Sequence, residues 1–326
     1  MWFRRHRPSL EVHVPISPTR TFLNMAEYLV LSLRARGGRY RDAPVVLSVG
    51  AETRDPNLAR DNPWMAALGV EPRWVDEGIF ARERWWGTAT ERMRQEFSSD
   101  VVLQLDADVL VAGPLDELVA EAHATRTLCG VVAHLPPVVS VDGWRDIFRA
   151  AQLDLVDLPC EHTGWGYLFQ DEALRFCPPY FNLGVIAATA DTTRRIGDVI
   201  YDLLGRVDTQ SAAMTDPAYR LQIALSLAIG KLGLPFRALP FRWNFANDPL
   251  LEALHASELP HVRIIHLLRR HQLHKSEVFA DRRGIEAMLA RQDLRVVNAM
   301  AQQILAEVHP RATLDGAAGE QRAVGA

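Results

Sequence analysis

The chain has 326 residues, 48% of them hydrophobic and 23% charged, the composition of an ordinary globular protein with enough apolar mass for a large core. With 36 basic against 40 acidic residues the formal net charge is -4, so no global electrostatic pull draws it to nucleic acid or anionic membrane, and a small-molecule partner is expected. Cys129, Cys160 and Cys177 match no zinc or redox spacing, and an odd count argues against a secreted disulfide framework, making a reducing cytosol the expected compartment.

Residues 1–9 contain Arg4, Arg5 and Arg7, and the run after them holds Glu11, His13 and Pro15, which no signal-peptide core does. A flexible tip is expected there, with weak peripheral membrane attachment through Trp2, Phe3 and the arginines left open. No apolar stretch approaches the ~20 residues of a membrane span. Leu10 to Ile16 reads as a first strand. Thr21 to Arg36 repeats Phe22, Met25, Leu29 and Leu33 at helical spacing and stops at Gly37-Gly38. Val45 to Val49 and Pro72 to Val75 read as strands, with a short helix between Pro56 and Leu68 and another helix over Thr88 to Phe97. Val101 to Leu105 is an unbroken apolar run suited to a central strand buried on both faces. Further strands are expected at Leu128 to Ala133, Phe181 to Ala188, Phe236 to Leu239 and Arg263 to His266. Helices are expected at Val141 to Leu153, Thr192 to Leu204 and Tyr219 to Leu232. Gly284 to Val308 is an amphipathic helix broken near Gln292-Asp293. The Pro, Gly and aromatic-rich stretch from Leu158 to Pro179 reads as a long functional loop, and Ala312 to Ala326, without an apolar period, as disordered.

Strands alternating with helices predict an α/β fold with a mixed, mainly parallel central sheet flanked by helices and an irregular second half. One domain over residues 10–308 is expected, in two halves (10–118 and 119–308), followed by a disordered tail (309–326).

The chemistry concentrates at Asp106-Ala107-Asp108, directly after the Val101 to Leu105 strand. Ligands of open α/β sheets bind outside the carboxyl ends of strands. In an extended chain alternate residues share a side, so both carboxylates would face one cleft. Their mutual repulsion is removed by a hard divalent cation, magnesium or manganese, whose remaining ligands are commonly substrate phosphates and water. Turn-forming aspartates are the bland alternative, but apolar runs on both sides, Val-Val-Leu-Gln-Leu before and Val-Leu-Val after, argue against a simple turn. His266, after another apolar run, sits at a strand end as Asp108 does and suits manganese.

The segment Val102 to Leu118, VLQLDADVLVAGPLDEL, resembles the metal-binding segment of GT-A glycosyltransferases, the nucleotide-diphospho-sugar transferase superfamily, and is most similar to glycosyltransferase family 8. Tyr180-Phe181-Asn182-Leu183-Gly184-Val185 resembles the family's Phe-Asn-Ser-Gly-Val strand, Arg220-Leu221-Gln222-Ile223-Ala224-Leu225 its Asp-Gln helix, and Pro240 to Phe245 its Leu-Pro-x-x-Trp-Asn turn. Ile264-Ile265-His266 resembles the strand that ends in the third metal ligand. Leu221 departs from the family's acidic residue, and the Gly and Lys-Pro-Trp expected after His266 are replaced by Leu-Leu-Arg-Arg-His-Gln-Leu-His-Lys.

This resemblance implies a hexosyltransferase-like enzyme that moves a sugar from a nucleotide-diphosphate donor, a UDP-sugar above others, to a carbohydrate or other hydroxyl-bearing acceptor. It implies Asp106, Asp108 and His266 as metal ligands, and Asn182, Gly184, Asn244 and Trp165 around sugar or acceptor. Val14, Pro15, Ile16, Arg92, Asp106 and Lys275 fall to the nucleotide and its diphosphate. Gln222 and Asn182 would lie at the reacting centre, with retention of configuration; inversion would need a base such as Glu161, Asp171 or Glu172. A sugar nucleotidyltransferase is the runner-up, although Pro15-Ile16-Ser17-Pro18-Thr19 is not a glycine-rich phosphate loop. A non-catalytic carbohydrate or nucleotide-binding protein is the third reading.

Overall fold

The structure, a computed structural model, describes residues 7–133, 141–155, 179–208, 219–268, 270 and 272–313. In chain order it comprises β1 (Leu10–Ile16), α1 (Arg20–Arg36), β2 (Val45–Val49), α2 (Leu58–Asp61), α3 (Trp64–Ala67), β3 (Val70–Trp74), α4 (Glu77–Glu83), α5 (Trp85–Glu91) and β4 (Val101–Leu105). Next come β5 (Val109–Val111), α6 (Asp116–Thr125), β6 (Leu128–Val132), α7 (Val141–Ala150), β7 (Phe181–Thr189), α8 (Ala190–Asp208) and α9 (Arg220–Leu232). The remainder is β8 (Phe236–Ala238), β9 (Phe245–Ala246), α10 (Pro249–Leu254), β10 (Ile264–His266), α11 (Lys275–Val278), α12 (Arg282–Leu289) and α13 (Val296–Val308).

Seven strands form the main sheet in the order β3-β2-β1-β4-β7-β6-β8. Only β7 runs against its neighbours, so the sheet is mixed and mainly parallel as expected. The inner strands are buried on both faces, which is why they read as continuous apolar runs. Two apolar clusters flank the sheet. One joins β1, β2 and β4 to α1, α6 and α13; the other joins β6 and β7 to α7, α8 and α9. Helix α1 is buried along its middle from Asn24 to Leu33, because α13 packs against it as well as the sheet. It stops where Gly38 takes φ of +65°, a left-handed conformation that glycine adopts without steric cost.

A second, three-stranded sheet, β5-β10-β9, was not anticipated. Its strands are two or three residues long, too short to carry a period-2 pattern. Asp106-Ala107-Asp108 is the link between the two sheets and lies in a turn after β4, not in an extended strand. A turn between two buried strands has apolar flanks on both sides, so those flanks do not discriminate against it.

The helix expected over Thr88 to Phe97 is instead Trp85–Glu91, followed by turns in which Met93 and Phe97 are still buried. Apolar spacing there imitated a helix. Helix α4 went unrecognised although Asp76 caps it by accepting from the Gly78 and Ile79 amides, and α6 although Asp116 and Glu117 open it. The break near Gln292-Asp293 separates α12 from α13. Order continues past residue 308, into the segment expected as tail: His309–Arg311 form a 3-10 turn, and the Thr313 amide donates to Glu27 at 2.6 Å. Among the described residues no helix is long and apolar enough to cross a membrane.

Candidate active site

Register places the acidic turn opposite its partners. The Asp106 amide, just past the end of β4, donates to the Gly184 carbonyl of β7 at 3.1 Å. On the other side of the turn β5 runs antiparallel to β10 with Val109 opposite His266, and the Leu267 amide donates to the Asp108 carbonyl at 2.9 Å. One strand of each sheet therefore pins one aspartate. Ligand atoms of Asp106, Asp108 and His266 all lie within 4.8 Å of one another.

Asp106 is held by Arg92, whose Nη1 donates to its Oδ1 at 2.9 Å. The same guanidinium donates to the Leu105 carbonyl at 3.2 Å and the Leu183 carbonyl at 2.9 Å. Arg92 is one of the largest fully buried side chains, so a surface role is excluded. It joins the ends of β4 and β7 and leaves Asp106 a third exposed, with 34% of its side chain accessible.

Asp108 is the more buried carboxylate. Its Oδ1 lies 3.2 Å from His266 Nε2, and its Oδ2 accepts from the Lys275 ammonium. Burial by itself would push its carboxyl up; the His266 ring and the Lys275 ammonium outweigh that and hold it far below the ordinary carboxylate range. Lys275 opens α11 and keeps 38% of its side chain exposed.

These groups form one wall of a cavity of about 420 Å³, which Asn182, Leu183 and Gln222 also line. Phe22 and Met25, in the first turns of α1, and Trp85 and Trp86 of α5 also line it. The Phe22 and Trp85 rings pack with centroids 4.9 Å apart and planes at 39°.

Of the expected site residues, Asp106, Asp108, His266, Lys275, Arg92, Asn182 and Gln222 are brought together here. Val14, Pro15 and Ile16 are not: all three are buried in β1, Val14 and Ile16 completely, and none reaches the cavity. They lie on a central strand with neighbours on both sides, so the surface beyond it belongs to α1. Asn244 is 5% exposed and meets the His266 ring. Gly184 lies beneath that ring, where a Cβ would come within 2.3 Å of His266 Cε1. Trp243 belongs to the core. Trp165, with Glu161, Asp171, Glu172, Arg269 and His271, lies outside the described residues. Leu221, in place of the family's acid, is buried, while Gln222 beside it lines the cavity. Phe22, Met25, Trp85 and Trp86 also line the cavity; a position in the first turns after a central strand is the signal for the first two, and an aromatic pair able to stack on a sugar or base, though more often core, the signal for the tryptophans.

Comparison with known proteins bears on this arrangement. No curated protein sequence matches the chain. Among solved structures, the galactosyltransferase LgtC in complex with donor and acceptor sugar analogues superposes with a TM-score of 0.56 at 14% identity, covering 93% of this chain and 96% of that one. An active-site mutant of LgtC superposes with a TM-score of 0.53 at 15% identity, covering 85% and 95%. These likenesses identify the fold as GT-A. Residues 17–233, about two thirds of the chain, match the Rhodobacterales glycosyltransferase domain. That span contains Asp106, Asp108, Asn182 and Gln222 but stops before Asn244, His266 and Lys275. With that match over more than half of its length, on a GT-A fold, the chain belongs to the Rhodobacterales glycosyltransferase family.

Proposed function

We propose that the protein transfers a sugar from a nucleoside-diphosphate donor, a UDP-sugar above others, to a hydroxyl of a carbohydrate or similar acceptor, with a manganese or magnesium ion and with retention of configuration. The observation that carries the metal reading is the convergence of Asp106, Asp108 and His266 within 4.8 Å of one another at the cavity wall. Two carboxylate oxygens and one imidazole nitrogen suit a hard to borderline divalent cation. Such a cation, when bound, acts as a Lewis acid for the departing diphosphate.

The chain's own residues supply the rest. Lys275, already an ion-pair partner of Asp108, exchanges that carboxylate for diphosphate oxygens. Asn182 and Gln222 face the sugar, Gln222 beside the anomeric carbon. Phe22, Trp85 and Trp86 make the apolar floor on which the nucleoside rests, in the role expected of Val14 to Ile16. Residues 10–118 then serve the nucleotide and residues 119–308 the acceptor. Retention rests on the resemblance to glycosyltransferase family 8; Glu161, Asp171 and Glu172, the base candidates for inversion, lie outside the described residues.

Thermal unfolding with nucleotide-sugars, with and without manganese, tests the reading. A cognate donor at a hundred times its Kd adds about 2.7 kcal/mol, and this stabilisation should require the metal and vanish in Asp108→Asn. If no nucleoside-diphosphate sugar stabilises the protein in a metal-dependent way, the proposal falls.

A further inference from the structure

Beneath the three ligands a short chain of hydrogen bonds runs from the main sheet to His266, and its directions can be assigned without seeing a proton. The Gly184 backbone N–H can only donate, and it lies 2.9 Å from Asn182 Oδ1. That contact fixes the Asn182 amide with oxygen inward. The same oxygen lies 2.9 Å from one atom of the Asn244 amide, which must therefore be the Nδ2 donor. Asn244 consequently presents Oδ1 to His266 Nδ1, at 2.9 Å. An oxygen acceptor at that distance requires a proton on Nδ1. Flipping either amide would set donor against donor or acceptor against acceptor. Asn244 is 5% exposed and His266 2%, so no solvent competes for these bonds.

From this geometry we infer that Asn244 and Asn182 are positioning residues that lock the His266 proton on Nδ1, leaving Nε2, the nitrogen facing Asp108, as the one that takes the metal. The inference rests on the proposed role of His266 as a metal ligand and departs from the expectation that these asparagines serve only sugar. A neutral imidazole free in water carries its proton mainly on Nε2, the wrong nitrogen for this site. The lock reverses that preference and fixes the ring plane as well. It also explains why residue 184 is glycine: any Cβ there would enter the ring and Asn182 Oδ1, which is 2.8 Å away. Asn182 Oδ1 has both lone pairs committed, so toward a ligand this residue acts as a donor only.

Two measurements decide it. In metal-free protein carrying 15N-histidine, recorded at about pH 9.5, roughly three units above the ordinary imidazole value, His266 should show a protonated Nδ1, whichever state Nε2 takes beside the Asp108 carboxylate 3.2 Å away. Its signals are assigned by their loss in His266→Gln. Asn182→Val removes the acceptor behind the Asn244 amide and no hydrogen bond to His266 itself, yet should lower the proton occupancy of Nδ1. Manganese titration without nucleotide is the second arm. Asn244→Leu should weaken binding about 10- to 100-fold, Asn182→Val less, and Asn244→Asp, which still accepts from Nδ1, should restore most of the loss seen in Asn244→Leu. An unprotonated Nδ1 in the wild type, or wild-type manganese affinity in both Asn244→Leu and Asn182→Val, overturns the lock. If the wild type takes up no manganese, it is the metal reading that fails, and the location of the His266 proton still decides the lock.

Discussion

Asp106 and Asp108 are separated by one alanine, yet they are held in opposite ways. Asp106 sits at the end of the main sheet against Arg92, a buried cation that also binds the Leu105 and Leu183 carbonyls and so cannot leave without unsatisfying the backbone. Asp108 sits at the edge of the small sheet against Lys275, a half-exposed cation on a four-residue helix, and against His266. One carboxylate has a permanent counter-ion and the other an exchangeable one. On the proposed metal reading, Asp106 sets the position of the ion, and Asp108 becomes available to it when the Lys275 ammonium withdraws.

The sharpest way to break this comparison is at the permanent side. Arg92→Met leaves two buried carbonyls and Asp106 without their donor, and should cost about 3 kcal/mol of stability. Urea denaturation would show it; a loss below half a kilocalorie would mean that Arg92 does not bind the two strands together. At the exchangeable side the effect is electrostatic and depends on pH. Asp108, whose carboxyl is held lower in the folded than in the unfolded chain, adds stability above the unfolded carboxylate value of about 3.9 and loses it as pH falls towards its folded value. The stability gap between wild type and Asp108→Asn, on the order of 2 kcal/mol at neutral pH, should therefore narrow from about pH 5 downwards. A gap that stays constant down to pH 2 would show that the ion pairs contribute nothing. Smallest of all is Lys275→Met. Its exposed pair is worth at most about 1 kcal/mol, so stability should barely change. Without nucleotide, manganese should bind up to about fivefold more tightly once this competitor is gone, while donor affinity falls. Weaker manganese binding in Lys275→Met would make the lysine a support of the site and not a competitor for it.

How far the sequence could be read follows from what each feature depends on. The central strands were legible because burial on both faces writes an unbroken apolar run, as in Val101 to Leu105. Helix α1 was legible from Met25, Leu29 and Leu33. Helix α5 was misplaced because Met93 and Phe97 keep helical spacing after the helix has ended. Of the small sheet only β10 was legible, as the strand expected at Arg263 to His266, because the two or three residues of β9 and β5 cannot show a period. The acidic turn was found for a reason that did not hold: its carboxylates do not share a side through strand alternation, but through the registers of two different sheets.

By itself the sequence determined the α/β alternation, pointed to the end of the central strand as the candidate site, and identified Asp106, Asp108 and His266 as residues suited to a divalent cation. These are local properties of residue type and spacing. Only the tertiary structure decided that Arg92 is an internal clamp, that Asn182, Gly184 and Asn244 sit behind His266, and that Phe22 and Trp85 face the cavity while Val14 and Ile16 do not. Each of those depends on which side chains from distant segments approach one another. Antiparallel pairing of Val109 with His266 brings together residues 157 positions apart, and no local pattern encodes that meeting.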